Sequence, residues 1–221
     1  SLSDSTAVLV SSGFLGALIA GFAGGYLVIW PELMKSLCEI LNQKNYEKSL
    51  EIYQLISKII KRYHIDVKSD SLFREILDCL SYLTSPMTED ATQMLTYLNQ
   101  GANGQNEKTM LTILRKIYGI FYSLNYQDFP EFFEDNLKKW MQIIQGTLSL
   151  NSNTNNEELL KLKAKTMKCL NYYYSNYYED FKDYSNSYFP IVWNVVNSYQ
   201  SENSYSKLTK ELLEFYKINF Q

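Results

Sequence analysis

Almost every apolar segment of this sequence repeats at intervals of three and four residues, and no strand-like run bounded by hairpin turns interrupts that rhythm. The pattern restricts the chain to an all-α fold. The spacing predicts helices over 31–42, 46–63, 71–83, 88–99, 107–124, 131–148, 157–178, 186–199 and 205–219. In the second of these, Ile52, Ile56, Ile59, Ile60 and Tyr63 fall on one face, with Lys48, Glu51, Lys58, Lys61 and Arg62 elsewhere. The linker Gln43-Lys44-Asn45 is short enough to make the first two helices an antiparallel hairpin. The connections at 100–106 and 151–156 are rich in Asn, Gly and Ser and read as exposed loops.

The hairpins look like copies of one degenerate unit. Aromatic-Pro pairs recur at Trp30-Pro31, Phe129-Pro130 and Phe189-Pro190, with Ser85-Pro86 between the first two, and they read as starts of equivalent helices. A hairpin of this size cannot bury its own apolar face, so such units stack into a solenoid with a long concave surface. The irregular spacing of the markers suits a HEAT-repeat α–α superhelix, with about four hairpins over 30–221. The chain ends in mid-pattern at Lys217-Ile218-Asn219-Phe220-Gln221 and reads as a piece of a longer array.

Residues 1–29 stand apart. No charge occurs from Ser5 to Pro31, and the glycine-rich apolar stretch is long enough to cross a bilayer as a helix. It lacks the Lys/Arg-rich flank of a signal peptide or an oriented anchor, and its five glycines weaken any helix in water. No membrane span is expected, and a membrane-anchored helical protein is kept as an alternative.

Chemistry finds little support. The formal net charge is −3 and no Lys/Arg block stands out, which speaks against a nucleic-acid partner and for protein partners. Cys38, Cys79 and Cys169 are far apart and have no second Cys or His at ligand spacing, so neither a disulfide framework nor a zinc site is indicated and a reducing compartment fits. His64, the single histidine, sits at a helix end and suits packing better than base catalysis. In the pairs Glu134-Asp135 and Glu179-Asp180 adjacent carboxylates leave a helix on different sides. Gly13, Gly16 and Gly21 lack the Gly-Lys-Ser/Thr context of a phosphate loop. No catalytic, cofactor-binding or metal-binding residue is therefore assigned, no cofactor is expected, and the chain reads as a binding protein rather than an enzyme. The run Tyr172 to Tyr178 offers rigid amphipathic area of the kind found at binding hot spots. Leu160, Met167, Leu170, Tyr174 and Tyr177 share one stripe there, so part of the run is core and the rest is free to face a partner.

Two segments resemble a known family. Residues 120–141, IFYSLNYQDFPEFFEDNLKKWM, look like one repeat of the CAS-type exportins, the importin-α re-exporters of the importin-β (karyopherin) superfamily. Residues 30–76 are similar to the family's preceding repeats, and Tyr177, Phe181, Tyr184, Phe189, Pro190 and Trp193 match its YxxxFxxY…FP…W pattern. The resemblance is colinear from Trp30 to about Tyr199 and departs over 5–29, where the family has a charged, ordinary helical repeat. It implies part of the N-terminal third of a nuclear transport receptor that binds importin-α together with GTP-loaded Ran, passes nuclear pore proteins and shuttles between nucleus and cytoplasm. A HEAT scaffold with other cargo is the alternative among binding proteins. No residue for Ran or importin-α is carried over. Phe129-Pro130-Glu131-Phe132, Trp30-Pro31 and Trp140 are assigned to the fold.

Overall fold

A computed structural model describes residues 30–62, 81–126, 136–152, 154, 156–198 and 205–221. Every regular element among them is helical. The chain divides into two compact units: residues through Asp90 with 119–136, and 91–118 with 137–221. The apolar stretch 1–29, His64, Cys79, Phe129-Pro130 and the pair Glu134-Asp135 lie outside the described residues.

In the first unit, α1 (Trp30–Asn42) and α2 (Tyr46–Arg62) form the expected hairpin. Its turn is made by residue chemistry. Lys44 takes φ 57°, the left-handed region that reverses the chain. The Asn45 side chain caps α2 by accepting the Lys48 backbone N–H at 3.3 Å. Leu37, Ile40 and Leu41 of α1 bury with Ile52, Tyr53 and Ile56 of α2, while Lys48, Glu51 and Lys58 stay exposed. Ile59, Ile60 and Tyr63 of the expected stripe have side chains outside the described set.

Of the helix expected over 71–83, the described part, Ser81–Leu83, is a single 3₁₀ turn. It feeds directly into α3 (Thr84–Asn99), which begins four residues before the expected start. Pro86 is its third residue, where a backbone N–H has no intrahelical acceptor to lose.

In the second unit α3 ends in a Schellman motif. Gly101 (φ 98°) donates to the Leu98 carbonyl at 3.2 Å and Ala102 to that of Tyr97 at 3.1 Å. The following helices are α4 (Gly104–Tyr126), whose residues through Tyr118 belong to this unit, α5 (Leu137–Leu148), α6 (Asn156–Asn176), the four-residue α7 (Tyr178–Phe181), α8 (Ser185–Ser198) and α9 (Ser206–Asn219). α6 is the central element: it packs along α9 on one side and against α5 on another, and α8 packs on α5 and α9. Asn171 of α6 meets Glu211 of α9 and Tyr174 meets Phe215, so the two helices run parallel. Gly146 lets α5 approach α3, since a Cβ there would stand 3.2 Å from Leu95 Cδ1.

Two expectations need correction here. The helix expected over 157–178 stops at Asn176, because Tyr177 (φ −136°, ψ 43°) breaks it; Tyr177 is therefore not on the α6 stripe. Phe189-Pro190 does not start a helix. A 3₁₀ turn, Lys182–Tyr184, runs into α8 through Ser185 in helical conformation, so Pro190 lies inside α8. Proline is tolerated because Asn186, whose carbonyl would have accepted the missing N–H, is exposed, as is Pro190 itself.

Candidate protein-interaction surface

The polar groups that the fold buries are joined to one another as structural ties. In the first unit Asp90, fully buried, accepts the Tyr53 hydroxyl at 2.6 Å and Lys44 Nζ at 2.9 Å. Burial raises the Asp90 carboxyl above its ordinary value against these two hydrogen bonds. Burial also works to lower Lys44, but the hydrogen bond and charge of Asp90 outweigh it and hold the ammonium above its usual value. The ion pair thus anchors the left-handed turn residue. In the second unit Glu107, 1% exposed, receives the Ser152 hydroxyl and, at 2.6 Å, that of Thr154, whose backbone N–H also donates at 3.1 Å. The N–H of Gly104 reaches Thr154 Oγ1 at 3.2 Å. The connections before α4 and before α6 are therefore lashed together by Glu107, a residue that sequence reasoning placed only at a helix start, and α4 begins three residues before the start expected for it.

Burial pushes the Cys169 thiol up to about 12 and the hydroxyls of Tyr118, Tyr173 and Tyr188 up as well. Cys38 is half-buried, with its thiol raised by burial. Glu179 and Asp180 are both exposed on α7, and Glu179 pairs with Lys182. Among the described residues no group of three His, Cys, Asp or Glu is placed to hold a metal ion. None of the described helices is long and apolar enough to cross a membrane. Lys163, 6% exposed, is an outlier that sequence reasoning missed, with its ammonium lowered to about 8 by burial.

The tyrosine run is divided by the fold. Tyr173 stacks on Phe181 (5.3 Å between centroids, 13°), and Tyr174 meets Phe215 edge-on at 5.7 Å; both tyrosines are buried. Met167 and Leu170 bury with them, while Leu160 stays half-buried. Tyr172 and Tyr177 are half-buried and Tyr178 is exposed. Tyr173 was the missed core residue, and its place three positions after Leu170 was the available signal. A second aromatic set lies open at the edge of α8 and α9. Phe220 stacks on Phe189 at 5.5 Å and on Tyr216 at 6.0 Å, and Trp193 meets Tyr216 edge-on at 6.5 Å. Trp193, Leu213 and Phe220 are 56%, 67% and 73% exposed.

The model of the Cse1 family matches residues 59–218. The chain belongs to the Cse1 family. Among curated Cse1 relatives, Exportin-2 of Oreochromis niloticus is 31% identical over 195 residues, which is 84% of this chain and 20% of that protein. Exportin-2 of Homo sapiens is 29% identical over 195 residues with the same coverage, and that of Drosophila melanogaster 27% over 198 residues, 86% of this chain and 20% of that one. The chain thus spans about a fifth of the length of the curated relatives it matches. Among solved structures, the exportin Cse1 in its cargo-free, cytoplasmic state matches with a TM-score of 0.73 at 25% identity, over 86% of this chain and 21% of that one. The fold is accordingly the HEAT-repeat α–α fold of that exportin, and the resemblance to CAS-type exportins is borne out.

Proposed function

We propose that this chain is a segment of a nuclear export receptor that carries importin-α from nucleus to cytoplasm in complex with GTP-loaded Ran. Membership of the Cse1 family carries the reading. The relatives named Exportin-2 and the solved exportin Cse1 support export as the activity, and a transport receptor acts by binding rather than by making bonds. The segment shuttles with the receptor through the pore, past nuclear pore proteins. Two proteins held at once by one helical array raise each other's affinity by linkage, and hydrolysis of the GTP on Ran removes one of them and releases the other. No cofactor is required of the chain itself, since the nucleotide belongs to Ran.

Capture of importin-α by the immobilised protein, with and without GTP-loaded Ran, tests the proposal. Capture that appears only with GTP-loaded Ran is the expected result for the whole receptor. Absence of capture in both states removes the importin-α reading and leaves a HEAT scaffold with other cargo.

A further inference from the structure

The turn between α3 and α4 carries the chain's one Asn-Gly step, Asn103-Gly104. Asn103 is exposed, and among the described residues no hydrogen bond holds its carboxamide. An asparagine side chain is short enough to fold back on its own main chain, so Asn103 Cγ can close a ring on the Gly104 nitrogen. Glycine adds no side chain to crowd that nitrogen, and a Cβ built at Gly104 would meet nothing within 4 Å. Asn99 and Asn106 are exposed too, but they lie in α3 and α4 and precede Gln100 and Glu107.

The attacking atom is restrained. Gly104, at φ 59°, donates its N–H to Thr154 Oγ1 at 3.2 Å, and the Thr154 hydroxyl donates in turn to the buried Glu107 carboxylate at 2.6 Å. Attack requires the Gly104 nitrogen to give up its proton, and a hydrogen bond donated by that N–H favours the protonated form.

We propose that Asn103-Gly104 is a self-modification site, at which Asn103 deamidates through the Gly104 nitrogen at a rate set by the Gly104–Thr154 hydrogen bond. The step needs water alone. The Gly104 nitrogen bonds to Asn103 Cγ, the proton it loses ends on Nδ2, and Nδ2 leaves as ammonia, giving a cyclic imide. Addition of water then opens one or the other imide carbonyl, to isoaspartate or aspartate. Aspartate keeps the main chain and places a negative charge at the N-terminus of α4, where the helix dipole favours it. Isoaspartate reroutes the main chain through the former side chain. The Asn103 carbonyl that accepts the Glu107 N–H at 3.3 Å then becomes a free carboxylate off the helix path, which loosens the lash at Glu107. The inference rests on this turn and is independent of the export reading.

Incubation of the 221-residue chain at mildly alkaline pH in water enriched in heavy oxygen, followed by peptide mapping in a mass spectrometer, tests it. Labelled oxygen is expected at Asn103 before Asn99 or Asn106. Thr154→Val removes the acceptor of the Gly104 N–H and should speed the conversion by roughly fivefold, the rate equivalent of one lost hydrogen bond. Thr154→Ser keeps the hydroxyl and should stay within about twofold of the parent, as should Ser152→Ala, which removes a donor to Glu107 and leaves the Thr154 hydroxyl in place. Circular dichroism verifies that the variants keep their helix content. Earlier labelling at Asn99 or Asn106, or no conversion of Asn103 in the time the urea-unfolded chain converts fully, would overturn the site. An unchanged or slower rate in Thr154→Val, or an equal acceleration in Ser152→Ala, would overturn the control by Thr154.

Discussion

Trp140 and Trp193 mark two aromatic clusters made of the same residue types and put to opposite use. Trp140 on α5 is fully buried beside Tyr118 (6.4 Å between centroids), in a core that also takes Tyr173, Tyr188 and Phe181. Two hydroxyls of that core are hydrogen-bonded. Tyr118 shares a 2.7 Å hydrogen bond with Thr147, and Tyr188 donates to the Met141 carbonyl at 2.8 Å. Trp193 on α8 also meets a ring, Tyr216 edge-on at 6.5 Å, but stands 56% exposed. Aromatic content alone therefore does not separate the part of a helical repeat that holds it together from the part that is left for contact. Closure of the cluster on all sides does.

The comparison makes its largest claim at Trp140. Trp140→Ala removes a fully enclosed ring from helices that pack on several sides, and it should cost about 3 to 5 kcal/mol. Chemical denaturation with the slope held in common with the parent chain reads this as a lower midpoint. An unchanged midpoint would place Trp140 outside the core and dissolve the distinction.

A second test probes the flaw in the closed side. Lys163 is 6% exposed and its ammonium is lowered from 10.5 to about 8 by burial, so the native state holds this proton less tightly than the unfolded chain. Below about pH 8 the group is charged in both states and its burial opposes folding; between about 8 and 10.5 the native state sheds the proton first, and stability from this group rises with pH. Lys163→Met should therefore stabilise by on the order of 3 kcal/mol at pH 7, an advantage that shrinks as pH rises through that window. Thermal unfolding of variant and parent at pH 7 and pH 9.5 measures the difference. A gain equal at both pH values would show that desolvation of the charge is not its cause.

What was legible in the sequence follows the same line. The α1–α2 hairpin could be read because its information is local: Ile52 and Ile56 at helical spacing, and Gln43-Lys44-Asn45 too short for anything but a turn. The failures are residues whose state is set by distant packing. Pro190 looked like a helix start because proline favours the first turn, but the 3₁₀ turn before Ser185 had already launched α8. Tyr177 continued the apolar rhythm of α6 and yet breaks it, since the chain must turn there for Phe181 to reach Tyr173. The burial of Lys163 and the grip of Glu107 on Thr154 involve partners far along the chain and leave no periodic trace.

A smaller effect tests how far local backbone, rather than the aromatic clusters, limits the second unit. Gly101 holds φ 98° in the Schellman motif that ends α3, and a Cβ there meets nothing within 4 Å. Gly101→Ala should cost about 1 kcal/mol through conformation alone, read as a small drop in the denaturation midpoint. A loss as large as that at Trp140 would mean the turn between α3 and α4, tied through Gly104 to Thr154, matters as much as the core.

The smallest effect on stability is expected at Trp193, and it carries the other half of the comparison. Its ring keeps an edge contact with Tyr216 but leaves most of its surface in water, so Trp193→Ser should change stability by no more than about 0.5 kcal/mol. The consequence should appear in association. Trp193, Leu213 and Phe220 together form an apolar edge of the sort that drives proteins to adhere, and Trp193→Ser with Phe220→Ser should lower concentration-dependent self-association in sedimentation velocity while the midpoint of unfolding stays put. A large fall in the midpoint instead would mean that the edge is closed in solution, so that Trp193 belongs with Trp140 and the open cluster is a continuation of the core.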